Sequence, residues 1–211
     1  MISILLKIEN PDAKVTLMQV DQLKPHEKGS PLYLELLSKE ILKDGVLKYP
    51  IIADEKTHVI LDGMHRWLAL KSLGYELIPV ILVDVFNNHR IRVGKRRIHR
   101  YTNGVDKEIT IKEVVSAGLS GHLMEPRSTR HFFPFSKFLE INCPLHSLKK
   151  NTAQDVSKYL SRMTDKDCSL AMQRWLEEIS EELEFLSKRM EEVEREKEEF
   201  LNRVKSLADD F

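Results

Sequence analysis

Hydrophobic positions follow two different patterns along this chain. Up to about residue 145 they come in short bursts. Val15 to Val20 alternates with the period of a strand, and PLYLELLSKEILKDG (31–45) has helical spacing with Gly45 as its stop. Two short strands are predicted at YPIIAD (49–54) and HVILDG (58–63), then a helix at 64–73 ended by Gly74. ELIPVILVDVF (76–86) is apolar almost throughout, the pattern of a strand buried on both faces. Thr110 and Glu113 have capping-box spacing and open a helix that ends near Gly118 or Gly121. The first 148 residues therefore predict a small α/β (α+β) domain.

Residues 149–211 predict a helical region of another kind. Met172, Leu176, Ile179, Leu183, Leu186, Met190, Val193, Phe200, Val204 and Leu207 recur in alternating steps of three and four, with Lys197 filling the one gap. Such a seam predicts a coiled coil over about 170–208 and a homodimer formed through it, a single lysine serving to fix register. NTAQDVSKYLSRM (151–163) has the look of the first half of a helix-turn-helix, but no turn glycine follows it.

Charge sharpens the division. Lys plus Arg and Asp plus Glu both number 33, so the whole chain shows no bias toward nucleic acid. Met172 to Phe211 nevertheless holds 13 acidic and 7 basic residues, which leaves the rest net positive. Cys143 and Cys168 fit neither a disulfide framework nor a zinc site. MISILLKIENPD is too short an apolar run for a signal peptide or a span, so the expectation is a cytoplasmic protein without a membrane segment.

Two stretches carry candidate chemistry. In LDGMHRWLALKSLG (61–74) a strand ends, Asp62-Gly63 turns the chain, and a helix begins at Met64. Gly63 allows close backbone approach, while the first-turn N–H groups, His65 and Arg66 add donors at one spot, a pocket suited to phosphate. The bland reading is a common strand–turn–helix with Arg66 paired to a carboxylate. In PRSTRHFFPF (126–135) basic and hydroxyl side chains crowd together before three phenylalanines, which would pin the run to a core.

D-G-x-H-R before an amphipathic helix resembles the nucleotide-binding signature of the ParB/sulfiredoxin superfamily. LKPHE (23–27), YPII (49–52) and TIKEVVSAGLSGHLMEPRSTRHFFPF (110–135) further resemble the archaeal free-serine kinases, which phosphorylate L-serine with ADP. The resemblance implies a ParB/sulfiredoxin-like small mixed-sheet domain and a kinase using ADP or ATP with Mg²⁺, forming O-phosphoserine. It implies catalytic roles for Glu27 (the base), Asp62 and His65. Gly63, Met64, His65 and Arg66 would bind phosphate, and Thr129, Arg130 and His131 the amino acid; the metal's protein ligands stay unassigned. Glu40 stands where the family has a substrate-contacting serine, which keeps threonine or another hydroxyl acceptor open. The rival reading is a ParB-like nucleotide- and DNA-binding regulator using the basic run Arg90–Arg100. Arg90 and Arg92 alternate with Ile91 and Val93 as on a half-exposed strand, which argues against nucleic acid.

Overall fold

A computed structural model describes residues 14–95, 109–126, 128–162 and 165–209. The chain divides into two units, the first running to Thr164 and the second consisting of the helix that begins at Asp165.

The first unit is built on a four-stranded sheet in the order β1-β5-β3-β4. Its strands are β1 (Val15–Gln19), β3 (Ile51–Asp54), β4 (Ile60–Asp62) and β5 (Leu77–Val83). β5 pairs antiparallel with β1 and parallel with β3, and β3 pairs antiparallel with β4. Two ribbons flank the sheet: β2 (Val46–Leu47) with β8 (Cys143–Pro144), and β6 (Arg92–Lys95) with β7 (Thr129–Phe132). The α-helices of this unit among the described residues are α1 (Pro31–Asp44), α2 (Met64–Ser72) and α3 (Ile111–Ser120).

Strand period two sorts the core into two layers. Ile51, Ala53, Ile78 and Val80 pack with Trp67, Leu68 and Leu34 of the helices α2 and α1. Ile52, Ile81 and Val83 face the other way, against Val114 and Val115 of α3. Both faces of β5 are thus covered, which is why its sequence is apolar without alternation. The helix ends follow their sequence signals. Ser30 caps α1 through Tyr33 N–H, Thr110 and Glu113 form the capping box of α3, and Gly45 and Gly121 close α1 and α3 in left-handed conformation.

The region after 148 departs from its sequence reading. Residues 149–162 contain one short turn, Ser157–Tyr159, and otherwise form an extended strap on the first unit. Its backbone groups are satisfied across the fold instead of within a helix: Asn151 N–H donates to Gly74 C=O (2.7 Å), Gly29 N–H to Tyr159 C=O (2.8 Å), and Ser161 N–H to Gly29 C=O (2.9 Å). Val156 is buried, and the Tyr159 ring meets Trp67 edge-on at 5.0 Å. The first unit therefore extends past the expected boundary at 148.

The second unit is α4 (Asp165–Asp209). Leu176, Leu183, Met190, Val193, Phe200 and Val204 of the seam are exposed by 46–66%. Seam positions Met172, Ile179, Leu186 and Leu207 have side chains outside the described set.

A truncated chain ending at residue 164 should fold cooperatively, whereas one ending at Leu148 should melt several degrees lower. The shorter form loses Val156, Tyr159 and Leu160, and burial of an apolar side chain contributes about 1.5–3 kcal/mol. Thermal melts by circular dichroism check this; equal midpoints would show that the strap adds nothing.

Candidate active site

The segment Lys24–Gly29 is held in place by backbone hydrogen bonds along its length. Lys24 pairs with the strand edge at 58–60: its N–H reaches His58 C=O (3.0 Å) and Ile60 N–H returns to its C=O (2.9 Å). Met124 N–H donates to His26 C=O and Lys28 N–H to Met124 C=O, both at 2.9 Å. Gly29 is fixed by the strap. A loop residue so tied has little freedom, which fixes where Glu27 projects. Its side chain is 12% exposed.

Beside Glu27, His26 is buried to 2% exposure and bridges two elements. Its Nδ1 lies 2.5 Å from Ile60 C=O and its Nε2 2.9 Å from Thr129 Oγ1. The carbonyl can only accept, so Nδ1 carries the proton. Burial pushes the pKa down to about 4, outweighing the Ile60 bond that raises it, and the imidazole is neutral near pH 7. Nε2 is then an acceptor and Thr129 is its donor. Thr129 Oγ1 also lies 3.4 Å from Glu27 Oε2, and its single proton cannot serve both contacts. The shorter contact takes it.

β7 splits the T-R-H run by strand geometry. Thr129 and His131 are buried on one face, toward His26. Arg130 and Phe132 alternate to the other, where Arg130 (5.3 Å) and Arg92 of β6 (5.8 Å) lie over the exposed Phe132 ring. His131 sits edge-on to His26 at 5.4 Å and stacks on Phe133, which stacks on Phe135. Burial lowers its pKa to about 3, with His26 and Lys137 pushing the same way and Asp62 opposing. Among the described residues its Nε2 is buried without a hydrogen-bond partner, as is Ser128 Oγ. Buried polar atoms are nearly always satisfied, so two orphans in one short run are what a ligand with polar groups would complete.

The turn at α2 supplies the other wall. Gly63 has φ +93°, and a Cβ there would lie 2.5 Å from Ile51 Cγ2, so only glycine fits. Met64 contributes its backbone N–H, its side chain being in the core. Arg66 donates to Asp62 Oδ2 at 2.6 Å and to Pro50 C=O, so the guanidinium is held rigid with donors to spare. Lys137, which no sequence signal marked, stands 3.6 Å from Asp62 Oδ1. His65 Nε2 accepts from Ser30 N–H at 2.8 Å, and its ring meets Tyr33 edge-on. That bond brings the N-termini of α1 and α2 together, so two sets of first-turn dipoles converge. Glu40 is away from this cluster, exposed and paired with Lys48.

Glu27, Asp62, Arg66, Thr129 and His131 are thus linked through His26, direct contacts and the shared field of Asp62, while His65, in the first turn of α2, is bonded to Ser30. Arg130 projects from the opposite face of its strand. Ser128 lies in the run the sequence singles out but had no role there, and Lys137 and Ser161 are additions that sequence reasoning missed. Ser161 Oγ, next to Gly29, is another buried orphan. Isolated serines and lysines carry no pattern, so nothing in the sequence marks them. Among the described residues no group of three or more His, Cys, Asp or Glu side chains is arranged to hold a metal ion. No helix among them is long and apolar enough to cross a membrane.

No family model matches the chain. It is 39% identical over 77 residues to an ATP-dependent L-serine kinase of Staphylothermus marinus, covering 35% of this chain and 31% of that protein. Likeness to the ADP-dependent L-serine kinase SerK of Thermococcus kodakarensis is 30% over 88 residues, or 39% of this chain and 36% of the relative. A ParB-like protein of Sulfolobus acidocaldarius is 40% identical over 74 residues, covering 34% and 35% respectively. The chain spans about a third of the length of the curated relatives it matches. A free serine kinase solved in complex with AMP superposes with TM-score 0.56 at 16% identity, over 65% of this chain and 95% of that one. SbnI from Staphylococcus aureus, truncated at its C-terminus, superposes with TM-score 0.52 at 18% identity, over 68% and 92%. The fold is therefore the ParB/sulfiredoxin-like one that the free serine kinases share.

Keeping His26 and His131 neutral has a cost in acid. Both pKa values are depressed, so the stabilisation is complete above about pH 6.5 and is lost as pH falls toward 4 for His26 and 3 for His131. From His26 the loss is on the order of 3 kcal/mol. Thermal midpoints of the wild type should drop between pH 6.5 and 5, and His26→Gln should show a flatter profile. Parallel profiles would refute the buried neutral imidazole.

Proposed function

We propose that this protein transfers a terminal phosphoryl group from ADP or ATP to the hydroxyl of free L-serine, forming O-phosphoserine. The observation that carries the reading is Glu27, held by backbone bonds on both sides and set against Thr129 and His26, beside the unsatisfied His131 Nε2. The serine kinases among the relatives add support.

The donor's phosphates would lie against the first turn of α2, where the N–H groups of Met64, His65 and Arg66 meet negative charge. Serine's oxygen attacks phosphorus in line as the bond to the nucleotide breaks, leaving AMP from ADP or ADP from ATP. Glu27 takes the hydroxyl proton. The protonated acid can donate to Thr129 Oγ1, whose own proton is committed to His26, so the new proton has an acceptor waiting. His131 Nε2 and Ser128 Oγ offer polar groups to the amino acid, and threonine is the alternative acceptor.

Asp62 offers the hard carboxylate oxygens that Mg²⁺ takes. Asp62 is already partly neutralised by Arg66 and Lys137, so the ion would be held chiefly by the nucleotide's phosphates. Mg²⁺ there would neutralise charge on the transferring group.

Incubating the protein with ADP or ATP, Mg²⁺ and a panel of amino acids, with phosphorus NMR of the products, decides the reading. O-phosphoserine is expected; phosphothreonine would change the acceptor, and no phosphorylated amino acid with either donor would refute the kinase. Glu27→Gln should lower turnover by about 10²–10⁴-fold with nucleotide binding retained.

Thr129→Val should cost about tenfold in kcat, the worth of one hydrogen bond, and Thr129→Ser should restore it. If the valine variant keeps full turnover, Thr129 has no part in the proton's path.

A further inference from the structure

We propose that α4 pairs with α4 of a second copy of this chain in antiparallel orientation, in one register set by charge. The inference is independent of the kinase reading. It starts from the exposed apolar stripe on α4: Leu176, Leu183, Met190, Val193, Phe200 and Val204 form a continuous hydrophobic face, which a lone helix in water would not leave open.

The heptad phase is fixed by that stripe. Leu176, Leu183, Met190, Lys197 and Val204 occupy a positions, and Met172, Ile179, Leu186, Val193, Phe200 and Leu207 occupy d positions. After Trp175, the g positions then read Glu182, Arg189, Glu196 and Arg203, with strictly alternating sign.

A parallel, in-register pair sets Lys197 against Lys197 of the second copy in one core layer. It also joins only one kind of g–e pair of opposite charge, Arg189 with Glu194, because Glu182, Glu196 and Arg203 would meet Ser187, Leu201 and Ala208. In an antiparallel pair a layers face d layers and g faces g. With Met190 opposite Val193 of the second copy, Leu183 meets Phe200 and Leu176 meets Leu207, so the whole seam overlaps. Lys197 then faces Leu186 instead of itself. Arg189 meets Glu196 and Glu182 meets Arg203, each pair occurring twice by two-fold symmetry.

Slipping by one heptad destroys this match. One direction sets Arg189 against Arg203 and Glu196 against itself; the other sets Glu182 against Glu196 and Arg189 against itself. Alternation of sign on g therefore excludes both neighbouring registers. Within one helix Arg189 already reaches Glu192 at 2.8 Å and Glu196 at 3.6 Å, and both Arg189 and Glu196 remain more than half exposed. Their heads are available to a second chain. The two Asp165 ends would then lie at opposite ends of the coil.

The test uses the full-length chain. Arg189→Glu and Glu196→Arg, studied separately by sedimentation equilibrium, should each weaken the dimer about tenfold, since both cross-pairs between positions 189 and 196 become like-charged. Mixed in equal amounts they should recover wild-type affinity as heterodimers, in which both cross-pairs are again opposite. A parallel coil would weaken with Arg189→Glu alone and would not recover on mixing. Orientation is read by a spin label on Gln173→Cys in a Cys143→Ser, Cys168→Ser background. Roughly 55 Å between labels supports the antiparallel coil, from 1.5 Å rise per residue. Less than about 20 Å, the reach of labels on adjacent helices about 10 Å apart, overturns it, as does a monomeric wild type.

Discussion

The Glu27 side of the candidate site hangs on one buried imidazole. His26 joins Ile60 at the edge of the sheet to Thr129 on the β6–β7 ribbon, two positions far apart in sequence. A carbonyl on one side fixes its tautomer, and burial fixes its charge. Those two constraints decide which way the Thr129 hydroxyl points, and hence what kind of contact Glu27 meets. A surface histidine could do none of this, because water would satisfy either nitrogen. Setting the group deep in the fold makes it a rigid coupling between sheet and ribbon, at a cost in acid stability.

The same constraint explains why the T-R-H run does not act as one cluster. In sequence, Thr129, Arg130 and His131 are neighbours and their chemistry suits a common ligand. On a strand they cannot share a face, and the demand that Thr129 reach His26 selects the buried face for positions 129 and 131. Arg130 is then obliged to join Arg92 around Phe132. Residues 92–95 of the basic stretch thus border the site through β6, a pairing between residues far apart in sequence that no local pattern encodes; residues 96–100 of that stretch lie outside the described residues.

Local signals settle most of the architecture. The caps at Ser30 and Thr110, the stops at Gly45 and Gly121, and the unbroken apolar run of β5 each state a requirement that a single element must meet on its own. The D-G-x-H-R turn is legible for the same reason, since Gly63 answers both a positive φ and a steric limit from Ile51. The strap at 149–162 is not. Val156, Tyr159 and Leu160 stand at helical spacing, yet the strap's backbone partners include Gly29, Gly74 and Glu76, and a helix would have left those groups without these bonds. Lys137 and Ser161 escape sequence reasoning because what marks them is what lies beside them in space.

A zero net charge conceals how differently the two units use electrostatics. Near the turn at α2, positive charge is fixed in place: Arg66 is held by Asp62 and Pro50, and helix dipoles add to it without any side-chain freedom to lose. Fixed donors of that sort stabilise an incoming anion without reorganising. On α4 the charges sit on exposed side chains, where each pair is worth little alone. In the proposed antiparallel pair their value would lie in sequence order, since alternation along one edge distinguishes registers that the apolar seam, repeating every seven residues, treats as nearly equal. On these two proposals the first unit would use charge for strength at one point, and the second for discrimination along a length.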